Sequence, residues 1–184
     1  MQKTDLSKFN NSWYNPSASW LTRVMWYCTN ACFFNSYFPF YSFKIFLLRL
    51  YGTKVGCGVV VKPKVNIKYP WNITIGNHAW IGENVWLDSL GKITVGANSC
   101  ISQGAMLITG NHNYKKINFD LIVKDIILEE GVWIGAGAIV CAGVTCKSHS
   151  VLTAGSVATA HLEAYAIYQG NPAVKIKDRN ISES

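Results

Sequence analysis

A six-residue repeat through the middle of the chain strongly limits what it can fold into. Isoleucine opens short units whose second residue is small, as in IGNHAW (75–80), IGENVW (81–86), ISQGAM (101–106) and IGAGAI (134–139). Self-similarity at a fixed short period is typical of solenoids, and a six-residue period is typical of β-helices. Each unit supplies one short strand and one turn, so three units close a triangular coil. The repeat therefore predicts an all-β solenoid, a parallel β-helix.

The residues that open the units are predicted to form the core. All of them except Cys146 and Ala158 are Val, Ile or Leu, and the full set is Val55, Val61, Ile75, Ile81, Leu87, Val95, Ile101, Leu107, Leu128, Ile134, Val140, Cys146, Leu152 and Ala158. The frame slips around Tyr69-Pro70-Trp71 and stops between His112 and Leu128, where a charged segment intervenes. Insertions into repeat folds form loops on one face and commonly shape the binding site. Residues 113–127 are therefore predicted to form a loop beside the functional site.

The repeat divides the chain into three parts. Residues 55–159 are expected to form the β-helix with its inserted loop. Residues 160–184 are expected to form a tail that leaves the coil, with Gly170-Asn171-Pro172 as a turn. Residues 1–54 lie outside the repeat and are crowded with aromatic side chains, and we expect one or two amphipathic helices there that cap the open end of the coil.

The N-terminal part also raises the question of a membrane. The stretch from Val24 to Phe43 is uncharged and just long enough to span a bilayer, but Asn30, Asn35 and Pro39 interrupt it. Such residues are costly in hydrocarbon, so a span is disfavoured. Aromatic residues flanked by cations leave peripheral contact with a membrane surface open. The polar start MQKTDLSKFNNSWYN is unlike a signal peptide, so we expect a cytoplasmic protein, and the membrane contact left open would be at the inner face of the membrane.

Charge and cysteine content exclude two other classes of function. The net charge of +7 and pI near 9.1 suggest nucleic-acid binding, yet the basic residues are scattered and form no five-residue run. Nucleic acid is therefore not an expected partner, and a basic rim around an anionic small molecule fits better. The six cysteines form no C-x-x-C pair, and the four histidines lack zinc-finger spacing, so no metal site is expected.

Several blocks in and around the hexads resemble one enzyme family. They are DLSKFNNSWY, KPKVNIKYPWNITIG, GENVWLD, CISQGAMLITGNHNY, GVWIGAGAIVCAGVTC and YQGNPAVKIK. Over nearly its whole length the chain resembles the hexapeptide-repeat acetyltransferases, in particular their colanic-acid-type (WcaF-like) subgroup. The resemblance implies a left-handed parallel β-helix and a homotrimer whose active sites lie between neighbouring coils. It also implies acetyl transfer from acetyl-CoA to a sugar hydroxyl in the biosynthesis of exopolysaccharide or another cell-surface polysaccharide.

The chemistry that the resemblance implies needs a base to take the proton of the attacking hydroxyl. His112, in TGNHNY at the edge of the inserted loop, falls where the family has its catalytic histidine, although many members have HP where this chain has HN. A histidine is largely neutral and able to accept a proton near neutral pH. His112 is therefore the predicted general base. His78 and His149 occupy the fourth slot of their units and are predicted to be turn residues.

The resemblance also implies contacts to both substrates. Asn84 and Asp88, in GENVWLD, match positions where related enzymes bind the acceptor sugar and support the catalytic histidine. Asp88 stands in a slot that usually holds a small residue, and because burying an unpaired carboxylate is costly, we expect it to meet a partner or the substrate. Small residues let a ligand approach the backbone closely. The positions that match contacts to CoA are Ser102, Trp133, Gly135, Ala136, Ala154, Thr159, Lys175 and Lys177.

The sequence also bears on three alternative functions. An N-acetyltransferase acting on an amino sugar would use the same base and donor, and the sequence leaves it open. A catalytically inactive β-helix scaffold is disfavoured by His112. A carbonic anhydrase of the same fold needs three metal-binding histidines across a subunit interface, which the four histidines of this chain do not suggest.

Overall fold

Short strands recur in groups of three along the chain, one group for each turn of a coil. The computed structural model describes residues 3–182. The first three turns contain β1 (Lys54–Val55), β2 (Val60–Val61), β3 (Asn66–Ile67), β4 (Ile73–Ile75), β5 (Trp80–Ile81), β6 (Trp86–Asp88), β7 (Ile93–Val95), β8 (Cys100–Ile101) and β9 (Met106–Ile108). A hairpin, β10 (Gly110–His112) and β11 (Leu121–Val123), is followed by β12 (Ile126–Leu128), β13 (Trp133–Ile134), β14 (Ile139–Val140), β15 (Thr145–Cys146), β16 (Val151–Leu152) and β17 (Val157–Ala158). Two longer strands, β18 (Ala166–Gly170) and β19 (Ala173–Asp178), complete the chain.

Parallel pairing between successive turns builds three sheets that form the sides of a triangular prism. Sheet A contains β1, β4, β7, β12 and β15; sheet B contains β2, β5, β8, β13 and β16, extended by β18 and β19; sheet C contains β3, β6, β9, β14 and β17. Strands of one side pair in parallel and in register, so that Ile81 of one turn lies beside Ile101 of the next. The predicted β-solenoid is confirmed.

The predicted unit openings form the core of the prism. All except Val55 are buried, and Val55 is half-buried because it lies in the first turn. Ile81, Ile101 and Ile134 stack along sheet B and are 0% exposed. Replacing one of these isoleucines by alanine would cost about 2–5 kcal/mol, the usual range for truncation of a packed core side chain.

One core position was missed at the frame slip around Tyr69. Ile67 on β3 is 1% exposed and pairs with Leu87 in sheet C, so it belongs to the same inward column. A short 3₁₀ helix, Pro70–Asn72, lengthens the following corner. This longer corner shifts the hexad frame without interrupting the coil.

The corners are tight turns that use left-handed backbone conformations. His78 and His149 have φ values of 57° and 58°, which confirms that both are turn residues at the corner between sheets A and B. Asn84 has a φ of 58° and lies at the corner between sheets B and C. Asparagine adopts this conformation more readily than most residues, because its short side chain bonds locally.

The N-terminal part contains two helices that cover the open end of the prism. Helix α1 (Trp20–Thr29) begins after Ser19, whose hydroxyl accepts a bond from the Thr22 amide, and it continues as a π-helix, Asn30–Phe34. Helix α2 (Tyr41–Leu50) packs against β1 and β2. The buried indole of Trp26 donates to the Ile67 carbonyl at 2.9 Å and so fastens α1 to the coil. Over residues 3–182, the helices are all too short or too polar to cross a bilayer.

The expectation that the chain leaves the coil after Thr159 is wrong. Leu162 bridges to Cys146 in sheet A, and β18 pairs in parallel with β16 in sheet B, so the coil begins a sixth turn. Leu162 and Ala166 are 1% and 0% exposed, so both side chains point into the prism. They follow Ala158 at intervals of four residues and not six, which is why the repeat does not reveal them. Strand β19 then folds back antiparallel to β18, with the predicted turn at Asn171-Pro172 between them.

Candidate active site

The inserted segment is a hairpin at the corner between sheets C and A. Strand β10 leaves β9 of sheet C, pairs antiparallel with β11, and the chain then enters β12 of sheet A. His112 is the last residue of β10 and pairs with Leu121. The hairpin therefore holds His112 on a paired strand at the prism edge, where its position is better defined than on a free loop.

The ring of His112 is held in one orientation. Its Nδ1 lies 3.0 Å from the carbonyl oxygen of Phe119, and the two rings stack with centroids 4.5 Å apart and planes 9° from parallel. Phe9 contacts the same ring from another direction, with centroids 5.7 Å apart. A carbonyl oxygen only accepts hydrogen bonds, so Nδ1 carries the proton and the lone pair of the neutral ring is on Nε2. This is the tautomer that a general base acting through Nε2 requires.

A cavity of about 530 Å³ opens beside His112, within the usual size range of small-molecule sites. One wall comes from the inserted hairpin and from the adjoining corners, at Leu90, Tyr69 and Lys68. The opposite wall comes from the N-terminal segment, at Phe9, Asn11, Ser12, Tyr14 and Pro16. The amide of Asp5 also donates to the Ile117 carbonyl of the inserted segment at 2.8 Å. The N-terminal segment thus covers the site as well as the coil.

Sequence reasoning did not assign these N-terminal residues to the site. Tyr14 donates its hydroxyl to the Leu90 carbonyl at 2.8 Å, across 76 positions of the chain. Desolvation, followed by the proximity of Tyr69 and Asp88, raises the pKa of Tyr14 to about 12, so its hydroxyl stays a donor. The one available signal was that the block containing Tyr14 resembled the family although it lies outside the repeat.

Asp88 lies beneath the start of the hairpin, at the end of β6. It is 7% exposed, and its Oδ1 lies 3.2 Å from the Lys68 ammonium, which is the partner expected for a buried carboxylate. The contact is an ion pair without hydrogen-bond alignment, since Oδ1 makes no hydrogen bond within the described residues. A Cβ on Gly110 would lie 3.5 Å from Oδ2, which places the carboxylate next to the strand that carries His112.

The two proposed acceptor-binding residues lie apart in one protomer. Asn84 precedes β6 and is exposed at the corner between sheets B and C, whereas Asp88 ends the same strand at the corner between sheets C and A. A single copy of the chain therefore does not bring Asn84 next to His112.

Five of the residues assigned to CoA line one groove of about 340 Å³ at the corner between sheets B and C: Ser102, Trp133, Gly135, Ala136 and Ala154. The Trp133 indole donates to the Ser102 hydroxyl at 3.0 Å, which fixes an exposed aromatic wall. A Cβ on Gly135 would lie 2.5 Å from the Ala154 amide nitrogen, so stacking of the coils itself requires glycine there.

The other three residues assigned to CoA lie outside this groove. Thr159 is exposed just beyond β17, in sheet C. Lys175 and Lys177 project from β19, at the end of sheet B, and the Lys175 ammonium is paired with Asp178 at 2.7 Å.

Comparisons with known proteins place the chain in a family. No protein-family model matches it. It is 40% identical over 157 residues to the Escherichia coli K12 protein named colanic acid biosynthesis acetyltransferase WcaF, which covers 84% of this chain and 86% of the relative. The chain belongs to the WcaF-like hexapeptide-repeat acetyltransferases. The resemblance found in the sequence is thereby confirmed, and the protein is an acetyltransferase by family.

More distant relatives of this WcaF-like chain include named sugar acetyltransferases. The galactoside O-acetyltransferase of E. coli K12 is 30% identical over 129 residues, covering 68% of this chain and 64% of that protein. A hexapeptide-repeat acetyltransferase of Vibrio cholerae, solved with acetyl coenzyme A, superposes with a TM-score of 0.71 at 26% identity, over 76% of this chain and 78% of that one. A galactoside acetyltransferase solved with coenzyme A shares the fold, with a TM-score of 0.77 at 24% identity over 87% and 82% of the two chains.

No group of three His, Cys, Asp or Glu residues within 3–182 is placed to hold a metal ion. The two candidate sites of the WcaF-like chain are the oriented imidazole beside its cavity and the groove lined by small residues.

Proposed function

We propose that this protein transfers the acetyl group of acetyl-CoA to a hydroxyl of a sugar acceptor, in the biosynthesis of a cell-surface polysaccharide, with His112 as general base. The observation that carries the proposal is the hydrogen bond from Nδ1 of His112 to the Phe119 carbonyl. It presents Nε2 as a proton acceptor beside a cavity large enough for a sugar. The role of the WcaF relative and the sugar substrate of the galactoside enzyme support the class of acceptor.

The reaction needs no nucleophile from the protein, because the thioester of acetyl-CoA is already activated. The sugar oxygen attacks the thioester carbonyl as Nε2 of His112 takes the hydroxyl proton. The tetrahedral intermediate then collapses with cleavage of the C–S bond, and the imidazolium returns the proton to the departing CoA thiolate. The products are the sugar O-acetyl ester and CoA, and His112 is regenerated.

The groove at the corner between sheets B and C is the proposed site for acetyl-CoA. Gly135, Ala136 and Ala154 let the pantetheine arm approach the coil backbone, and Trp133 borders it. Strand β19 lies two strands beyond β16 in sheet B, so Lys175 and Lys177 are proposed to meet the CoA phosphates further along the same side. Thr159 stays a proposed contact and lies outside the groove of a single protomer.

The proposed site is complete only in an oligomer, and we infer a homotrimer with threefold symmetry. His112 and the groove lie at the two opposite edges of sheet C, so one protomer does not align its own base with its own donor. If sheet C faces a threefold axis, its His112 edge meets the groove edge of the next copy, along with Asn84. The outward positions Met106 and Ile139 of this sheet are apolar and suit burial against another copy.

The outer face of the N-terminal helices supports peripheral contact with the inner membrane surface. Trp20, Phe40, Phe46 and Leu50 are 57–70% exposed, which is unusual for aromatic and aliphatic side chains without a partner. We expect expressed protein to be released from membranes by high salt or carbonate. Retention after carbonate washing would contradict peripheral contact.

The test of the proposed activity is acetyl-CoA turnover against free sugars, nucleotide sugars and lipid-linked oligosaccharides, with analysis of the product. Hydroxylamine cleaves an acetyl ester and leaves an amide, so it separates O-acetylation from N-acetylation of an amino sugar. The proposal requires a hydroxylamine-sensitive product and its loss in the His112→Ala variant. An amide product would instead indicate the N-acetyltransferase, and acetyl-CoA binding without transfer to any acceptor would indicate a scaffold.

A further inference from the structure

A second cavity of about 400 Å³ adjoins the one beside His112. Arg23, Lys68 and Tyr69 line both cavities, so the two form a continuous cleft along the N-terminal end of sheet C. The far compartment is bordered by Trp26, Tyr27, Asn30, Asn66 and Trp86. The cleft is therefore longer than a site for a single sugar hydroxyl requires.

Arg23 lies at the junction of the two compartments. Within residues 3–182, no carboxylate lies within ion-pair distance of its guanidinium, and its Nε is buried without a hydrogen-bond partner. Leaving a buried charged donor unsatisfied is costly, so such a group usually has a ligand or water as partner. The helix that carries Arg23 is held to the coil by Trp26, one turn further along α1, whose indole donates to the Ile67 carbonyl.

Lys68 adds a second positive charge at the same junction. Its ammonium neutralises the buried carboxylate of Asp88 at 3.2 Å, and its side chain remains 41% exposed. The side chains of Arg23 and Lys68 thus bring two cations to the junction, against the one carboxylate of Asp88. The remaining positive charge favours an anionic ligand, and a guanidinium matches the paired oxygens of a carboxylate or phosphate.

Aromatic rings surround this junction. The Tyr69 ring stacks on Trp71 with centroids 5.2 Å apart, and the rings of Tyr27 and Trp86 are 75% and 40% exposed beside the far compartment. The apolar C–H faces of sugar rings pack well against exposed aromatic faces, which lose contact with water on binding. Rings and cations side by side suit a sugar that carries a negative charge.

We propose that Arg23 and Lys68 bind an anionic group of the acceptor, a carboxylate or a phosphate, while the reacting hydroxyl lies at His112. The acceptor is then an anionic glycan or a glycosyl phosphate, not a neutral sugar. This inference rests on the proposed function, and it further specifies that the acceptor is negatively charged.

The experiment compares three acceptors with a common reacting sugar: a neutral methyl hexoside, the matching hexuronide, and the hexosyl diphosphate ester. We expect kcat/KM of the wild-type protein to be at least about tenfold higher for a charged acceptor, as a hydrogen-bonded charge pair implies. Which charged acceptor is preferred decides between carboxylate and phosphate. In Arg23→Gln and Lys68→Gln this preference should shrink about tenfold, and Arg23→Lys should retain part of it.

The control is Lys54→Gln, which removes an exposed charge from β1, away from the cleft, and should keep the full preference. Equal kcat/KM for the neutral and the charged acceptors of the wild-type protein would overturn the inference while leaving the acetyltransferase proposal intact. That comparison needs no variant, so it holds even if a variant folds poorly. Absence of transfer to all three acceptors and to the wider sugar panel would count against the proposed function itself.

Discussion

His112 and Phe119 form a unit in which the backbone of one residue sets the tautomer of the other. The carbonyl of Phe119 accepts from Nδ1 at 3.0 Å, and its ring stacks on the imidazole 4.5 Å away. The hairpin that joins them is an insertion into the six-residue repeat. The chain thus leaves the regular coil at the place where the His112 side chain needs a defined orientation.

Replacing His112 by alanine should lower kcat by about 10²–10⁴-fold, the usual contribution of a positioned base. The KM for acetyl-CoA should change little, because the imidazole is not expected to hold the nucleotide. Steady-state kinetics measure both quantities.

The matched controls for this prediction are His78→Asn and His149→Asn. Both histidines have positive φ values, and asparagine tolerates that backbone conformation, so the fold should be kept. Each variant should stay within a few-fold of wild type. Near-normal turnover in His112→Ala, combined with loss of activity in either control, would show that the base is misassigned.

Truncating Phe119 to alanine keeps the carbonyl but removes the stacked ring. An aromatic pair contributes about 0.5–1.5 kcal/mol, so kcat should fall about two- to tenfold if the ring orients His112 in the transition state. Tyr114→Ala, on the same segment and 74% exposed, is the control and should leave kcat unchanged. A drop of equal size in both variants would mean that the segment as a whole, and not the stacking, sets the rate.

Placing a carboxylate in the proposed CoA groove should weaken acetyl-CoA binding. Ala136→Glu puts negative charge and bulk beside an anionic ligand, and we expect the KM for acetyl-CoA to rise at least about tenfold. Ala136 follows the corner residue Gly135, and Ala97 follows Gly96 in the same way; both alanines are half-buried. Ala97, however, lies at the corner between sheets A and B. Ala97→Glu should therefore leave this KM unchanged. Similar KM values for acetyl-CoA in the two variants would show that acetyl-CoA binds outside the proposed groove.

Mixing the His112→Ala and Ala136→Glu variants, and assaying well below the raised KM for acetyl-CoA, tests whether the site is shared between subunits. In a random trimer of His112→Ala and Ala136→Glu subunits, about a quarter of the interfaces combine an intact base with an intact groove. Co-expression should therefore restore about a quarter of wild-type activity, and sedimentation should give a trimer. A fully active monomer, or no recovery in mixed oligomers that are shown to form, would place the whole site within one protomer.

Lys44 should make stability depend on pH at alkaline values. Its side chain is fully buried beneath α2, with the ammonium 3.0 Å from the Lys62 carbonyl, and desolvation lowers its pKa to about 8. The unfolded chain then binds more protons than the folded one above pH 8, so the free energy of unfolding rises with pH until the unfolded lysine also titrates. Between pH 7 and 9.5 the wild-type protein should gain about 2 kcal/mol relative to Lys44→Met.

Denaturant unfolding at the two pH values, on both proteins, measures this difference, and the comparison cancels other titrating groups. Lys54→Met serves as the control, because Lys54 is exposed and should produce no such gain. A constant difference between wild type and Lys44→Met across this range would mean that the buried amine keeps an ordinary pKa.

The coil was predictable because each unit repeats the same local requirement. Ile101 and Ile134 must be apolar to fill the prism, and His78 must tolerate a left-handed corner, so both kinds of constraint are visible in six residues of sequence. The prediction failed after Thr159, where Leu162 and Ala166 keep facing inward although the spacing changes. A six-residue repeat cannot reveal a turn of the coil that continues after a corner of different length.

The sequence by itself determined the fold, the family and the identity of the oriented histidine, because hexads and flanking motifs are local patterns. Only the tertiary structure decided that Tyr14 and Arg23 of the N-terminal segment border the same cleft as His112, and that Asn84 lies at the opposite edge of sheet C. These relationships join positions far apart along the chain. They depend on where the N-terminal helices pack and on the corner of the prism at which each loop lies. Neither can be read from a short stretch of sequence.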